Sequence, residues 1–150
     1  MKVLFVCNAN MNRSQIAMAI FNRLSKKNQA ISAGLSPGLN EGVPVSEGHF
    51  NPIEVMKEYG YDLSKERMKR ITAQMIEGAD VIVIILNKKK YQDLIPENLK
   101  RFSRLEWWDI DSISEDIQYD EYVRLEKIRI KRIEECVRRL IKEVDPPSQA

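Results

Sequence analysis

The stretch Lys2-Val3-Leu4-Phe5-Val6-Cys7-Asn8-Ala9-Asn10-Met11-Asn12-Arg13-Ser14-Gln15-Ile16-Ala17-Met18-Ala19-Ile20-Phe21-Asn22-Arg23-Leu24 decides the reading of this chain. Its first part is a short continuous apolar run, the pattern of a strand buried on both faces. Its last part repeats apolar residues at helical spacing, with Ile16, Ala17, Ile20, Phe21 and Leu24 on one face. Between them lies a polar loop with Cys7 at its start and Arg13 six positions on. A loop that opens a helix turns its amides inward, and the helix dipole favours an anion there.

The residue types in that loop match the task. A thiolate is the nucleophilic form of cysteine, and helix-terminal amides with a nearby Arg favour it. Arg13 offers a planar fork that fits two oxygens of a phosphate. Ser14 can donate its hydroxyl to the sulfur. Asn10 tolerates the left-handed backbone that a loop curled around an anion needs. The anion-binding set is therefore Asn8, Ala9, Asn10, Met11, Asn12, Arg13 and Ser14.

Outward from this stretch, composition sets bounds. The 150 residues suit one domain with a real core, here read as residues 1–150. Hydrophobic residues make up 43% and charged residues 31%, the balance of a globular protein in water. The net charge of +2 gives no sign of a nucleic-acid partner, and none is expected. The run Val3–Val6 is too short for a signal peptide, and no stretch is long and apolar enough to suggest a membrane partner. Two cysteines, Cys7 and Cys136, make no disulfide framework, so a reducing cytoplasm is expected. With His49 the only histidine, a Cys-His pair or a His-rich metal site has little support. No metal or cofactor is expected.

Down the chain, short apolar runs alternate with helical patterns. Ala30–Leu35 reads as a second strand running into a turn. Ser36–Gly38 and Asn40–Gly42 mark a long loop reaching Phe50. A helix starts at Asn51-Pro52, carries Ile53, Val55, Met56 and Tyr59, and stops at Gly60. Thr72 is placed to cap a short helix over Ala73–Glu77. Val81–Leu86 is the clearest buried strand. Lys88 opens a short helix through Leu94, and Phe102 to Trp107 contains a fourth strand. Tyr119 to Val144 reads as one amphipathic helix with Tyr122, Leu125, Ile128, Ile133, Cys136, Val137, Leu140 and Ile141 facing inward. Pro146-Pro147 ends the fold. Strands alternating with helices imply an α/β fold with a parallel sheet covered on both faces.

The Cys-x5-Arg-Ser motif directly after the first strand resembles that of the low-molecular-weight protein tyrosine phosphatases and the related arsenate reductases. The likeness extends to Ser32-Ala33-Gly34 and to the segment Gly60–Thr72. It implies a three-layer domain with four parallel strands in the order 2-1-3-4. It also implies hydrolysis of a phosphomonoester, phosphotyrosine or another aryl phosphate, through a cysteinyl-phosphate. In the family a Ser after the second strand supports the anion loop, and Ser32 or Ser36 stands where it would. An Asp-Pro after the fourth strand supplies the general acid. Asp111-Ser112 is the nearest match, and Asp109 is second.

Several residues depart from the family pattern. Ala9 stands where Gly is usual, at a cost on the order of 1 kcal/mol if its φ were positive. Asn12 replaces a second loop Cys, so Cys7 has no disulfide partner within its loop. Met11 is apolar, as in the tyrosine phosphatases, where the arginine phosphatases have Thr. Glu66 replaces a His that supports the loop Asn; it either accepts from Asn10 or is solvated, and solvation is the expectation. Two other functions stay open. One is arsenate reduction with an external thiol, since Asn87 to Trp108 holds no relay cysteine. The other is a non-catalytic phosphate-binding or phosphoprotein-binding module. A purely structural role fits the Cys7–Ser14 motif least. The partners to expect are an oxyanion in the Cys7–Arg13 loop and a phosphorylated protein or small aryl phosphate.

Overall fold

In the computed structural model, which describes residues 1–145, the apolar run forms strand β1 (Lys2–Cys7). Every residue from Val3 to Cys7 is buried. The polar loop follows, then helix α1 (Arg13–Leu24) and strand β2 (Gln29–Gly34). Helices α2 (Ile53–Glu58) and α3 (Ala73–Glu77) precede strand β3 (Val81–Ile85). Helices α4 (Lys88–Tyr91) and α5 (Glu97–Lys100) lead to strand β4 (Leu105–Trp108) and then to the long helix α6 (Tyr119–Val144). The strands are all parallel, in the order β2-β1-β3-β4.

The alternation of side chains along each strand builds two cores. Val3, Phe5, Val81, Val83 and Ile85 point to one face and meet α1, α2 and α6. Leu4, Val6, Ile82 and Ile84 point to the other, where Ile76, Ala79, Ile95 and Leu99 cover them. This is the three-layer arrangement, and it places the β1–α1 loop at the carboxyl ends of the central strands, where open α/β sheets bind ligands. Phe5 anchors the first core, touching Phe21 edge-on at 5.9 Å and Trp108 at 5.6 Å.

Local signals explain most element ends. Gly60 adopts φ 86° after α2, the left-handed conformation a helix terminator takes. Thr72 Oγ1 accepts from the Met75 amide at 3.2 Å and starts α3. The long loop after β2 is tied down by the segment before α3. Val45 N donates to Glu66 O at 2.9 Å, Gly42 N to Met68 O at 2.7 Å, and Met68 N to Val43 O at 2.9 Å.

Four expectations change. The helix at Lys88 stops at Tyr91 rather than Leu94, and α5 follows it as a separate turn. Tyr59 is exposed. In α6 the inward stripe is Tyr122, Glu126, Arg129, Ile130, Ile133, Val137, Leu140 and Val144, so Ile128 faces outward and is exposed. Hydrophobicity alone misplaced that stripe, because two of its positions hold an ion pair. Cys136 is half-buried at its edge rather than fully enclosed. Pro146 and Pro147 lie outside the described residues.

Candidate active site

The loop between β1 and α1 is held from three sides. Asn10 takes a left-handed backbone, φ 59°, and is fully buried. Its Oδ1 accepts from the Lys69 amide at 2.8 Å and from Gln15 Nε2 at 3.0 Å. Its Nδ2 donates to Ser14 Oγ at 2.8 Å. Gln15 Nε2 also reaches the carbonyls of Asn10 and Arg67, at 3.2 and 3.1 Å. A single buried amide side chain thus sets the curl of the loop. Ala9 does not take positive φ, so it carries no backbone penalty.

Gly34 provides the second support. A Cβ there would lie 2.6 Å from the Asn8 carbonyl and 2.9 Å from the Asn10 nitrogen. The loop backbone lies directly on β2 at this point, and only glycine fits. The neighbouring bonds run from Leu35 N to Cys7 O and from Ser36 N to Asn8 O, both at 2.9 Å. Ser32 is fully buried, and its hydroxyl accepts from Lys69 Nζ at 3.4 Å rather than touching the loop. The loop therefore rests on Gly34 and on the Ser36 amide. The third support is Met11, whose sulfur lies over Gly48, where a Cβ would be only 2.1 Å from it.

Held this way, the loop leaves its amides unused. Among the described residues, no backbone N–H from Asn8 to Gln15 donates to a protein acceptor. Asn12 precedes α1 without a side-chain cap, so the helix dipole adds to the same spot. Cys7 Sγ sits 2.9 Å from Ser14 Oγ, and both residues are buried. Ser14 Oγ already accepts from Asn10, so its own proton can turn toward the sulfur, as a thiolate requires.

Arg13 is 7% exposed, and its Nη1 donates to the Ile110 carbonyl at 3.0 Å. Burial pushes its pKa below the ordinary arginine value, while Cys7 pulls it back up. Lys69 brings a second cation near Cys7; burial lowers its pKa, with Glu66 and then Cys7 opposing. Glu66 is half-buried rather than freely solvated; its carboxylate lies 3.9 Å from Lys69 Nζ, and it makes no bond to Asn10. A pocket of about 210 Å³ opens over the loop. Cys7, Met11 and Arg13 line it together with Tyr91, Ile113 and Arg129.

The acid candidates are less committed. Asp109 Oδ1 accepts from the Lys88 amide at 2.9 Å, at the start of α4. That bond takes it into a capping role. Asp111 is exposed; its Oδ2 accepts from Asn87 Nδ2 at 3.2 Å and its Oδ1 from the Ser112 amide at 2.8 Å. The Ser112 N–H holds the Asp111 carboxyl below the usual carboxylate range, with Asn87, Arg13 and Lys90 adding to it. Its chain successors Ser112 and Ile113 line the pocket.

Sequence reasoning missed Gln15, Lys69, Tyr91, Glu126 and Arg129 around this site. Gln15 lies one residue past the motif and was readable only as a polar interruption in an apolar face. The others reach the site from distant elements.

A family model described as low molecular weight phosphotyrosine protein phosphatase matches residues 2–150. The chain belongs to that family. It is an enzyme of the protein tyrosine phosphatase type. It is 30% identical over 114 residues to a probable low molecular weight protein-tyrosine-phosphatase, EpsP, from Ralstonia solanacearum; the match covers 73% of this chain and 75% of EpsP. A low molecular weight protein tyrosine phosphatase from T. tengcongensis shares the fold with a TM-score of 0.71 and 28% identity, over 95% of this chain and 99% of that one. Wzb from Vibrio vulnificus, solved in complex with benzylphosphonate, has the same fold with a TM-score of 0.75 at 20% identity, over 95% and 97% of the two chains.

Proposed function

We propose that this chain, acting as one unit over residues 1–150, hydrolyses aryl phosphomonoesters, phosphotyrosine in proteins foremost, through a cysteinyl-phosphate. The observation that carries this is the pairing of Cys7 Sγ with Ser14 Oγ at 2.9 Å beneath a run of unpartnered amides and the buried Arg13. Cys7 attacks phosphorus in line. The amides from Asn8 to Arg13 and the Arg13 fork hold the equatorial oxygens as charge shifts onto them. Ser14 stabilises the sulfur when it leaves again. A nucleophilic thiol has to stay reduced, which suits a reducing compartment, so the cytoplasm is the proposed location.

Asp111 gives its proton to the leaving oxygen and then takes one from the attacking water. Its carboxyl is held ionised in the free protein. A phosphate dianion bound beside it favours the protonated form, because like charges nearby disfavour ionisation. The substrate thereby readies its own acid. The Met11 side chain, lying against Gly48, presents an apolar wall that suits an aryl group.

Turnover of p-nitrophenyl phosphate by the wild type and by Cys7→Ser tests the proposal. The wild type is expected to release phosphate in many turnovers, and Cys7→Ser none above background. Phosphate binding without turnover in the wild type would instead favour a binding module.

A further inference from the structure

Three guanidinium groups grip three successive carbonyls of the loop after β4. Arg132 Nη2 donates to Asp109 O at 2.8 Å, Arg13 Nη1 to Ile110 O at 3.0 Å, and Arg129 Nη1 to Asp111 O at 3.5 Å. Arg132 is exposed, and Arg13 belongs to the anion loop. Arg129 differs from both. It is 6% exposed, it lines the pocket over Cys7, and it is held by Glu126, which is 0% exposed.

The Arg129–Glu126 pair is two-pronged, with Nε to Oε1 at 2.8 Å and Nη2 to Oε2 at 2.6 Å. Glu126 Oε2 also accepts from the Tyr122 hydroxyl at 2.6 Å. The Tyr122 ring stacks on Phe50 with centroids 4.6 Å apart and planes 5° from parallel. Phe50 has a positive φ of 52°, and its carbonyl accepts from Asn12 Nδ2 at 3.3 Å. A continuous path therefore joins the anion loop at Asn12 to the acid loop at Asp111. It runs through Phe50, Tyr122, Glu126 and Arg129.

A buried ion pair of this kind is weak evidence for stability, since desolvation offsets much of its attraction. Fixing geometry is the use that fits its place. A proline after the acid would stiffen the loop by restricting the backbone. Ser112 cannot do this. We infer that Arg129, anchored by Glu126, is a positioning residue that holds the Asp111 loop at its working distance from the Cys7 loop. This rests on the reading of Asp111 as general acid. In this role Arg129 acts through the Asp111 loop and through no proton of its own.

The test uses the full chain with phenyl phosphate, whose leaving oxygen is basic, and p-nitrophenyl phosphate, whose leaving oxygen departs unaided. Arg129→Lys keeps the charge beside Glu126 but loses the fork that spans to Asp111. Glu126→Leu with Arg129→Met removes the pair without leaving a buried charge, and so serves if Arg129→Lys folds poorly. Both are expected to lower kcat/KM for phenyl phosphate about tenfold or more, since small misplacements cost up to about 100-fold. The loss of kcat/KM on p-nitrophenyl phosphate should be much smaller, because this ratio reports formation of the cysteinyl-phosphate and not its shared breakdown, and inhibition by inorganic phosphate should hold. In an Asp111→Asn background, Arg129→Lys should add little further loss.

Equal losses of kcat/KM on both substrates with weaker inhibition by inorganic phosphate would overturn the inference, because they mark Arg129 as an anion ligand. So would unchanged kcat/KM on phenyl phosphate, or a full further loss in the Asp111→Asn background. If Asp111→Asn alone shows no dependence on the leaving group, the acid reading fails and the inference falls with it. If Asp111→Asn shows that dependence and the Arg129 variants do not, only the inference fails.

Discussion

The loop at Cys7–Ser14 and the loop at Asp109–Ser112 face each other across one pocket, but they are built in opposite ways. The first is shaped mainly by its own side chains, seated on the segments around it. Asn10 curls it, Ser14 and Gln15 brace it, and Gly34 lets it lie flat on the sheet. The side chains of Cys7, Asn10, Arg13 and Ser14 are buried. The second is shaped from outside, by guanidinium groups on α1 and α6 gripping its carbonyls. Its carboxylates are engaged by backbone N–H groups, Asp109 by that of Lys88 at the start of α4 and Asp111 by that of Ser112. On the proposed mechanism, the nucleophile and anion site stand ready before substrate arrives, whereas Asp111, held in its charged form, depends on bound phosphate to take up a proton.

That contrast ranks the expected effects. Arg13→Lys should be the most severe substitution of a binding group. A lysine cannot span two phosphate oxygens, and it also releases the Ile110 carbonyl, so both loops lose a contact. Turnover should fall by at least about 10²–10³-fold, the range for losing one oxyanion donor. Phosphate should no longer protect Cys7 from alkylation, followed by mass spectrometry. Protection equal to the wild type would show that the loop amides suffice alone. Cys136 is the internal control, because burial raises its pKa and slows its reaction.

Much of the first loop was legible in the sequence. Its signals are local: a strand, a helix, and Cys7, Asn10, Arg13 and Ser14 at fixed spacing between them. The left-handed Asn10 follows from residue type, and the order of the strands from the family likeness. The second loop was legible only as an Asp in about the right place. What sets it lies 18 to 97 residues away in the chain, in Arg129 and Arg13. Glu126 and Arg129 were hidden for a further reason. A hydrophobic stripe is read by seeking apolar residues, and here two charged residues share the buried face because each neutralises the other. Of the two serines the sequence offered as support for the loop, Ser32 bonds Lys69 while Ser36 holds the loop through its amide, and Gly34, which shares the task, has no side chain to point it out.

Asp111→Asn should come next in size. General acid catalysis contributes roughly 10²–10⁴-fold, so kcat/KM for phenyl phosphate should fall in that range. The fall in kcat/KM on p-nitrophenyl phosphate should be far smaller. Asp109→Asn should act mainly on the start of α4 and change the substrate ratio little. A reversed ranking of the two would move the acid to Asp109.

The smallest effect, and the sharpest, is Ser112→Pro. Proline has no N–H, so the donor that most stabilises the Asp111 carboxylate disappears. The Asp111 pKa should rise toward the ordinary carboxylate value. The acidic limb of the kcat–pH profile is unchanged in origin, but the limb set by ionisation of Asp111 should move to higher pH. The stability that the depressed Asp111 contributes is present above its unfolded pKa and is lost as pH falls through the folded value. It is small, because the group is exposed, and the variant should lose it. A pH profile identical to the wild type would show that the Ser112 N–H does not control the acid.

The central claim is that phosphate passes through Cys7. Rapid acid quenching during turnover of p-nitrophenyl phosphate, followed by peptide mass spectrometry, tests it directly. The account predicts a phosphorylated Cys7 during turnover, enriched in Asp111→Asn if breakdown of the intermediate becomes slower, and absent in Cys7→Ser. Sustained turnover with no phosphocysteine at Cys7, or equal turnover by Cys7→Ser, would contradict it.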